Sequence, residues 1–228
     1  MESTDVESLH ANFERKLVHY CTPTLAAIKP ANLFTFRLSS EQRDPEEMAF
    51  TYASHIIDAL HSCQAKLSPH GVRLEILAPR KRGALIYAYR PTLLKHELIQ
   101  KNVSEFLSRE GYNTASLTEC LDHLKERIAE TDAAKNTSEE CGFPHEIGLF
   151  LGYPFDDVMG FIENKGENFL CSGCWKVYTK QRDARECFCT YRNCTSAYKT
   201  LFDQGVTLEE LACTDELCPQ LKSYRNAG

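Results

Sequence analysis

The chain has 228 residues, of which 43% are hydrophobic and 25% charged, and it carries a net charge of −6 at pH 7. That balance excludes a disordered or fibrous polymer, and the length is enough to bury a large core without disulfide staples. It argues against a nucleic-acid surface, which would gather a basic excess on one face, and no apolar run approaches the roughly 18 residues of a membrane span, so neither nucleic acid nor membrane is an expected partner.

The acidic start, Met1-Glu2-Ser3-Thr4-Asp5, lacks the charged-then-apolar pattern of a signal peptide, and a cytoplasmic location is expected. In that compartment the 11 cysteines read as free thiols, core fillers, metal ligands or nucleophiles.

Leu9, Phe13, Leu17 and Tyr20 recur at helical spacing and predict a helix over residues 4–20, with Cys21 at its end. Thr22-Pro23 reads as a fresh helix start, since Thr caps well and Pro at the first helical position forfeits no needed bond. Pro30 disfavours helix at Lys29 and should stop it there. Residues 33–38 read as a strand. Asp44-Pro45-Glu46-Glu47 then opens a helix that runs to about Lys66. Residues 72–78 and 84–90 form an expected β-hairpin around Pro79-Arg80-Lys81-Arg82-Gly83.

One helix is predicted over 91–109 and another from Ser116 through Ile128. The polar stretch 131–140 is a linker and a candidate subdomain boundary. Two short helices follow, at 144–151 and 154–163, then a strand or hairpin over 169–178. Ala184, Cys187, Phe188, Tyr191, Cys194, Tyr198 and Leu201 make a long apolar stripe, and Thr207 caps a last small helix. The expected fold is therefore α+β: a small, mostly antiparallel sheet covered by amphipathic helices, in a single domain over 1–228.

Two parts of the chain concentrate residues that carry chemistry. If Thr22 starts a helix, Cys21 lies at its positive end, where the field favours thiolate, and Lys29 could add to the effect or hold an anion. His145 could serve that thiol as base, with Glu146, Asp157 or Asn164 as orienter, in the manner of thiol hydrolases. A buried core cysteine and a His-Glu pair that merely caps a helix explain the same residues without chemistry.

Cys171 and Cys174 have the spacing of a metal knuckle for Zn or iron, with His145, Cys187, Cys189, Cys194, Cys213 and Cys218 as further ligand candidates. With 11 cysteines, a pair three apart arises by chance about half the time, so a second pair is required. HExxH is absent because position 149 is Leu. In Trp175-Lys176-Val177-Tyr178 the strand alternation puts Lys176 and Tyr178 on one face, where they could bind the anionic part of a substrate.

Cys21, Lys29-Pro30, His145-Glu146-Ile147-Gly148, Gly152-Tyr153-Pro154 and Trp175-Lys176-Val177-Tyr178 together resemble the motifs of a bacterial family of domains of unknown function, numbered 3793. The resemblance spans about residues 12–212 and brings no assigned activity with it. Three functions stay open: a thiol-dependent enzyme with a Cys21/His145 centre, a Zn- or iron-binding protein using Cys171 and Cys174, and a non-catalytic adaptor. Substrate and protein partner are left unspecified by all three.

Overall fold

The structure is a computed structural model that describes residues 3–37, 45–80, 83–134 and 143–213. Its frame is a three-stranded antiparallel sheet in the order β1-β3-β2, with β1 at Ala31–Arg37, β2 at Arg73–Arg80 and β3 at Gly83–Tyr89. The central strand is buried along almost its whole length, as helices on both faces require. Its alternation sorts the core into two layers: Ala84, Ile86 and Ala88 face one, and Leu85, Tyr87 and Tyr89 face the other.

The first layer is built by α1 (Ser3–Leu25), α2 (Pro45–Leu67), and two C-terminal helices, α8 (Gln181–Asp203) and α9 (Leu208–Ala212). Phe13, Leu17, Cys21 and Leu25 of α1 pack there with Cys194 and Tyr198 of α8. The second layer contains α3 (Pro91–Leu98), α4 (Lys101–Arg109), α5 (Leu117–Ala134), the single turn α6 (Ile147–Phe150) and α7 (Phe155–Glu163). Tyr87 ties it to the sheet by donating to the Phe150 carbonyl at 2.6 Å. This is the expected α+β architecture. No helix among the described residues is long and apolar enough to cross a membrane.

Several elements differ from their sequence-based expectation. No helix starts at Thr22; α1 continues through Pro23 to Leu25. Pro23 falls in the last turn, where its missing N–H leaves only the carbonyl of the exposed His19 unclaimed, and the Thr22 hydroxyl donates back to the Val18 carbonyl. Residues 91–109 break at Gln100, which is extended at ψ 137°. At 100° per residue, a straight helix would set Val103 about 180° from Leu94, and the break lets both face the core.

Residues 169–178 do not join the main sheet. They form a separate hairpin of β4 (Cys171–Ser172) and β5 (Lys176–Val177), seated on α8 through Val177, Ala184 and Phe188. Gly173 is required at its tip, because a Cβ there would lie 2.2 Å from the Phe188 ring. The helix expected at 144–151 contracts to α6. The linker expected at 131–140 begins inside α5, and 135–142, like the Asp44 cap, Lys81, Arg82 and Cys218, lie outside the described residues.

α1 ends in a Schellman turn: Ile28 N donates to the Pro23 carbonyl at 3.0 Å and Ala27 N to the Thr24 carbonyl at 3.1 Å, with Ala27 at φ 57°. The buried guanidinium of Arg90, in the link from β3 to α3, completes this end. Its Nε donates to the Thr24 carbonyl at 2.7 Å and one terminal nitrogen to Leu25 O at 2.5 Å and Ala212 O at 3.0 Å. The other terminal nitrogen reaches His70 O at 2.7 Å. A cation thus meets the negative ends of α1, of the 3-10 turn Ser68–His70 and of α9.

Two stability predictions follow from this corner. Arg90→Ala strands carbonyls at three helix ends and should lower unfolding free energy by about 3–5 kcal/mol in a urea titration. Ala27→Gly relieves the left-handed Cβ and should raise it by about 0.5–1 kcal/mol, measured in the same way.

Candidate functional site

The turn that closes α1 sends Lys29 inward and Pro30 against the loop after α6. Gly152 is at φ 69° there, and a Cβ on it would meet the Pro30 ring at 2.4 Å, so only glycine lets the two segments touch. The Lys29 ammonium then lies over the Tyr153 ring, 5.1 Å from its centroid, and 6.0 Å from that of Tyr191 on α8. Tyr153 stacks on Trp175 at 5.1 Å, and Trp175 meets Phe188 edge-on at 4.5 Å.

Asp157, in the first turn of α7, anchors this aromatic row. Its buried carboxylate accepts from the Trp175 indole at 2.7 Å, from the backbone of Tyr178 at 2.8 Å and Thr179 at 2.9 Å, and from the Thr179 hydroxyl at 3.2 Å. The Lys29-Pro30, Gly152-Tyr153, Asp157 and Trp175-Tyr178 segments, far apart in sequence, therefore form one continuous run of contacts.

Tyr153 lines two cavities. A cavity of about 330 Å³ is mostly apolar, walled by Phe143, Ile147, Val158, Phe161 and Trp175, with His145 and Lys176 among its few polar residues. The other, of about 610 Å³, lies among the end of α1, the start of β1, the hairpin tip and α8. Lys29, Asn32, Tyr153 and Cys174 line one side. α8 supplies Tyr191, Arg192, Thr195, Ser196, Lys199 and Asp203, a polar stripe at helical spacing. Both volumes fall in or near the range of small-molecule sites.

Lys29 is only 4% exposed. Among the described residues it makes no hydrogen bond and no ion pair; its neighbours are two tyrosine rings and the thiols of Cys174, Cys21 and Cys187. Burial pulls its pKa down from 10.5 to about 8, against the opposing pull of those thiols. Burial pushes the Tyr153 hydroxyl up to about 12 and raises Tyr191, which shares a hydrogen bond with Cys187. The Cys174 thiol also moves up, because burial outweighs the lowering by Lys29 and Arg192.

The residues singled out in the sequence are distributed over three places. Cys21 lies inside α1 with 0% exposure, lines neither cavity, and has its thiol pushed far up by burial. The helix start that would have favoured its thiolate does not exist, and it sits instead near the negative end of α1. His145 is exposed beside the apolar cavity, its ring edge-on to Phe161 at 4.9 Å, with no contact to Cys21. Glu146 is buried but turned away: it accepts from the Tyr112 hydroxyl at 3.0 Å and from Arg127 at 3.1 Å, joining the single turn α6 to α5.

Asn164 caps its own helix by donating to the Gly160 carbonyl at 2.8 Å. Lys176 donates to the Gly166 carbonyl at 2.6 Å beneath the Phe161 and Phe169 rings, and the Tyr178 ring presses on Gly160. Cys171 packs into the small cluster under the hairpin, away from Cys174, which faces the larger cavity. Among the described residues no three His, Cys, Asp or Glu side chains are grouped to hold a metal, so the pair lacks the further ligands a Zn or iron site needs.

Arg192, Thr195, Ser196 and Lys199 were not singled out in the sequence. Their 3.6-residue recurrence on the polar side of the apolar stripe is visible there, but a solvated helix face has the same pattern. No curated protein and no solved structure is significantly similar to the chain. Residues 17–212 match the family model described as "Protein of unknown function (DUF3793)", a span that takes in both cavities and the Arg90 corner, and the chain belongs to that family.

Proposed function

We propose that the protein binds an anionic small molecule in the cavity between α1 and α8, with Lys29 as the central cation. The observation that carries this reading is a nearly buried ammonium with no ion pair among the described residues, at a cavity that also presents Arg192 and Lys199 against the single carboxylate of Asp203. Burying a lone charge costs several kcal/mol, and tyrosine faces return about 0.5–2 kcal/mol. An anionic ligand would offset the rest.

A thiol in this reading would be Cys174, which lines the cavity, rather than Cys21, which neighbours Lys29 but lines neither cavity. The metal reading has no third ligand to support it among the described residues. The adaptor reading has only scattered support: Tyr20, Ile57 and Ile99 are exposed on separate elements, with Phe169 and Leu170 side by side.

Binding is tested by titrating inorganic phosphate, sulfate and small dicarboxylates into the full chain and its Lys29→Met variant, read by thermal shift and calorimetry. At least one anion should bind the parent saturably and weaken as salt rises, and none should bind the variant. Equal shifts in both proteins, or none in either, would remove the reading.

The stability of the two proteins should also diverge with pH in a fixed direction. Unfolded, the Lys29 amine keeps its proton to about pH 10.5; folded, it loses it near 8, so between these values the unfolded chain binds more protons and rising pH favours the fold. Below pH 8 the full penalty of about 3 kcal/mol applies. Lys29→Met should therefore be the more stable protein at pH 7, and the parent should regain ground on it from pH 8 to 10.5. A Met variant that is less stable at pH 7 would make the ammonium a structural group.

A further inference from the structure

Resting on that reading, we propose that the Lys29 amine binds its ligand covalently, condensing with the carbonyl group of an anionic aldehyde or 2-oxo acid to form an imine. The geometry separates the two tasks that such a ligand sets. Arg192 and Lys199 lie two helical turns apart on α8 with Thr195 and Ser196 between them, a surface for the carboxylate or phosphate. Lys29 lines the same cavity from the turn after α1, with its ammonium over the Tyr153 ring. An amine locked in a salt bridge could not react; this one has no carboxylate partner among the described residues.

The step balances without a redox partner. The nitrogen lone pair of Lys29 attacks the carbonyl carbon, the C=O π pair moves to oxygen, and that oxygen takes a proton to give a carbinolamine. Loss of water leaves the C=N bond, so amine plus carbonyl gives imine plus water. Two phenols flank the amine to pass protons, Tyr153 and Tyr191, the second already hydrogen-bonded to Cys187. The protonated imine keeps the positive charge, so the attraction to the bound anion survives the reaction.

Desolvation also places the amine in a reactive state. With a pKa of about 8, about a quarter of Lys29 is neutral at pH 7.5, against about a thousandth for a lysine at 10.5. That is a gain of about 200-fold in available nucleophile over an ordinary surface lysine.

The test is reductive trapping on the full chain at pH 7.5. Pyridoxal 5′-phosphate and glyoxylate are each added with sodium cyanoborohydride, and modified lysines are located by peptide mass spectrometry. Lys29 should be labelled at least tenfold faster than the mean surface lysine; inorganic phosphate should slow that labelling, and Arg192→Ala should slow it for glyoxylate but not for neutral propanal. Labelling spread evenly over surface lysines with Lys29 unmodified would overturn the proposal, and needs no variant to fold. If phosphate still stabilises the parent but not Lys29→Met, the imine falls and the anion site stands; if neither effect is seen, both fall.

Discussion

The guanidinium of Arg90 occupies the point where three helical C-termini converge, and it fixes the end of α1 from which Lys29 reaches the larger cavity. Its donors take carbonyls from the end of α1, the 3-10 turn and the end of α9, and its own backbone N–H donates to the Pro30 carbonyl at 2.8 Å. Helix ends that stop inside a core need partners for their last carbonyls, and water cannot supply them there. One planar cation with five donors answers for several ends at once. The end of α1 is thereby fixed against the sheet, and Lys29 is four residues beyond it.

From that fixed point the chain of contacts runs outward through Pro30 on Gly152, Lys29 on Tyr153, Tyr153 on Trp175 and Trp175 to Asp157. Asp157 is fully engaged by four donors and holds the hairpin in position on α7. Glu146 plays the same part between α6 and α5, in the same layer, with Tyr112 and Arg127. Two carboxylates that read as chemical groups are thus framework. Lys29, by contrast, has no ionic partner among the described residues, and it lines a cavity.

That contrast gives the site its physical character. A buried charge without an ionic partner is costly to the free protein in proportion to what a ligand recovers. The α8 stripe adds two more cations on an acidic protein of net charge −6, so the cavity stands out against the overall charge and would focus small anions. The thiols around Lys29 temper its loss of charge without pairing it.

Local pattern alone reached the helices with strong periodicity, the β2–β3 hairpin and the alternation that puts Trp175 and Val177 toward α8, because each of these depends on residues a few positions apart. It identified Lys29, Tyr153, Asp157 and Cys174 as unusual residues without their relation to one another. It also put a helix start at Thr22, since Thr-Pro carries the same local signature at the first turn of a helix and in the last turn of α1; core packing of Leu17, Cys21 and Leu25 decided between them. The tertiary structure decided that Cys21 and His145 are apart, that residues 169–178 form their own hairpin, and that a polar stripe on α8 faces Lys29. The first and last of those outcomes depend on contacts between segments more than 100 residues apart and the hairpin's seat on which face of α8 it covers, and the order of residues along a single chain states neither.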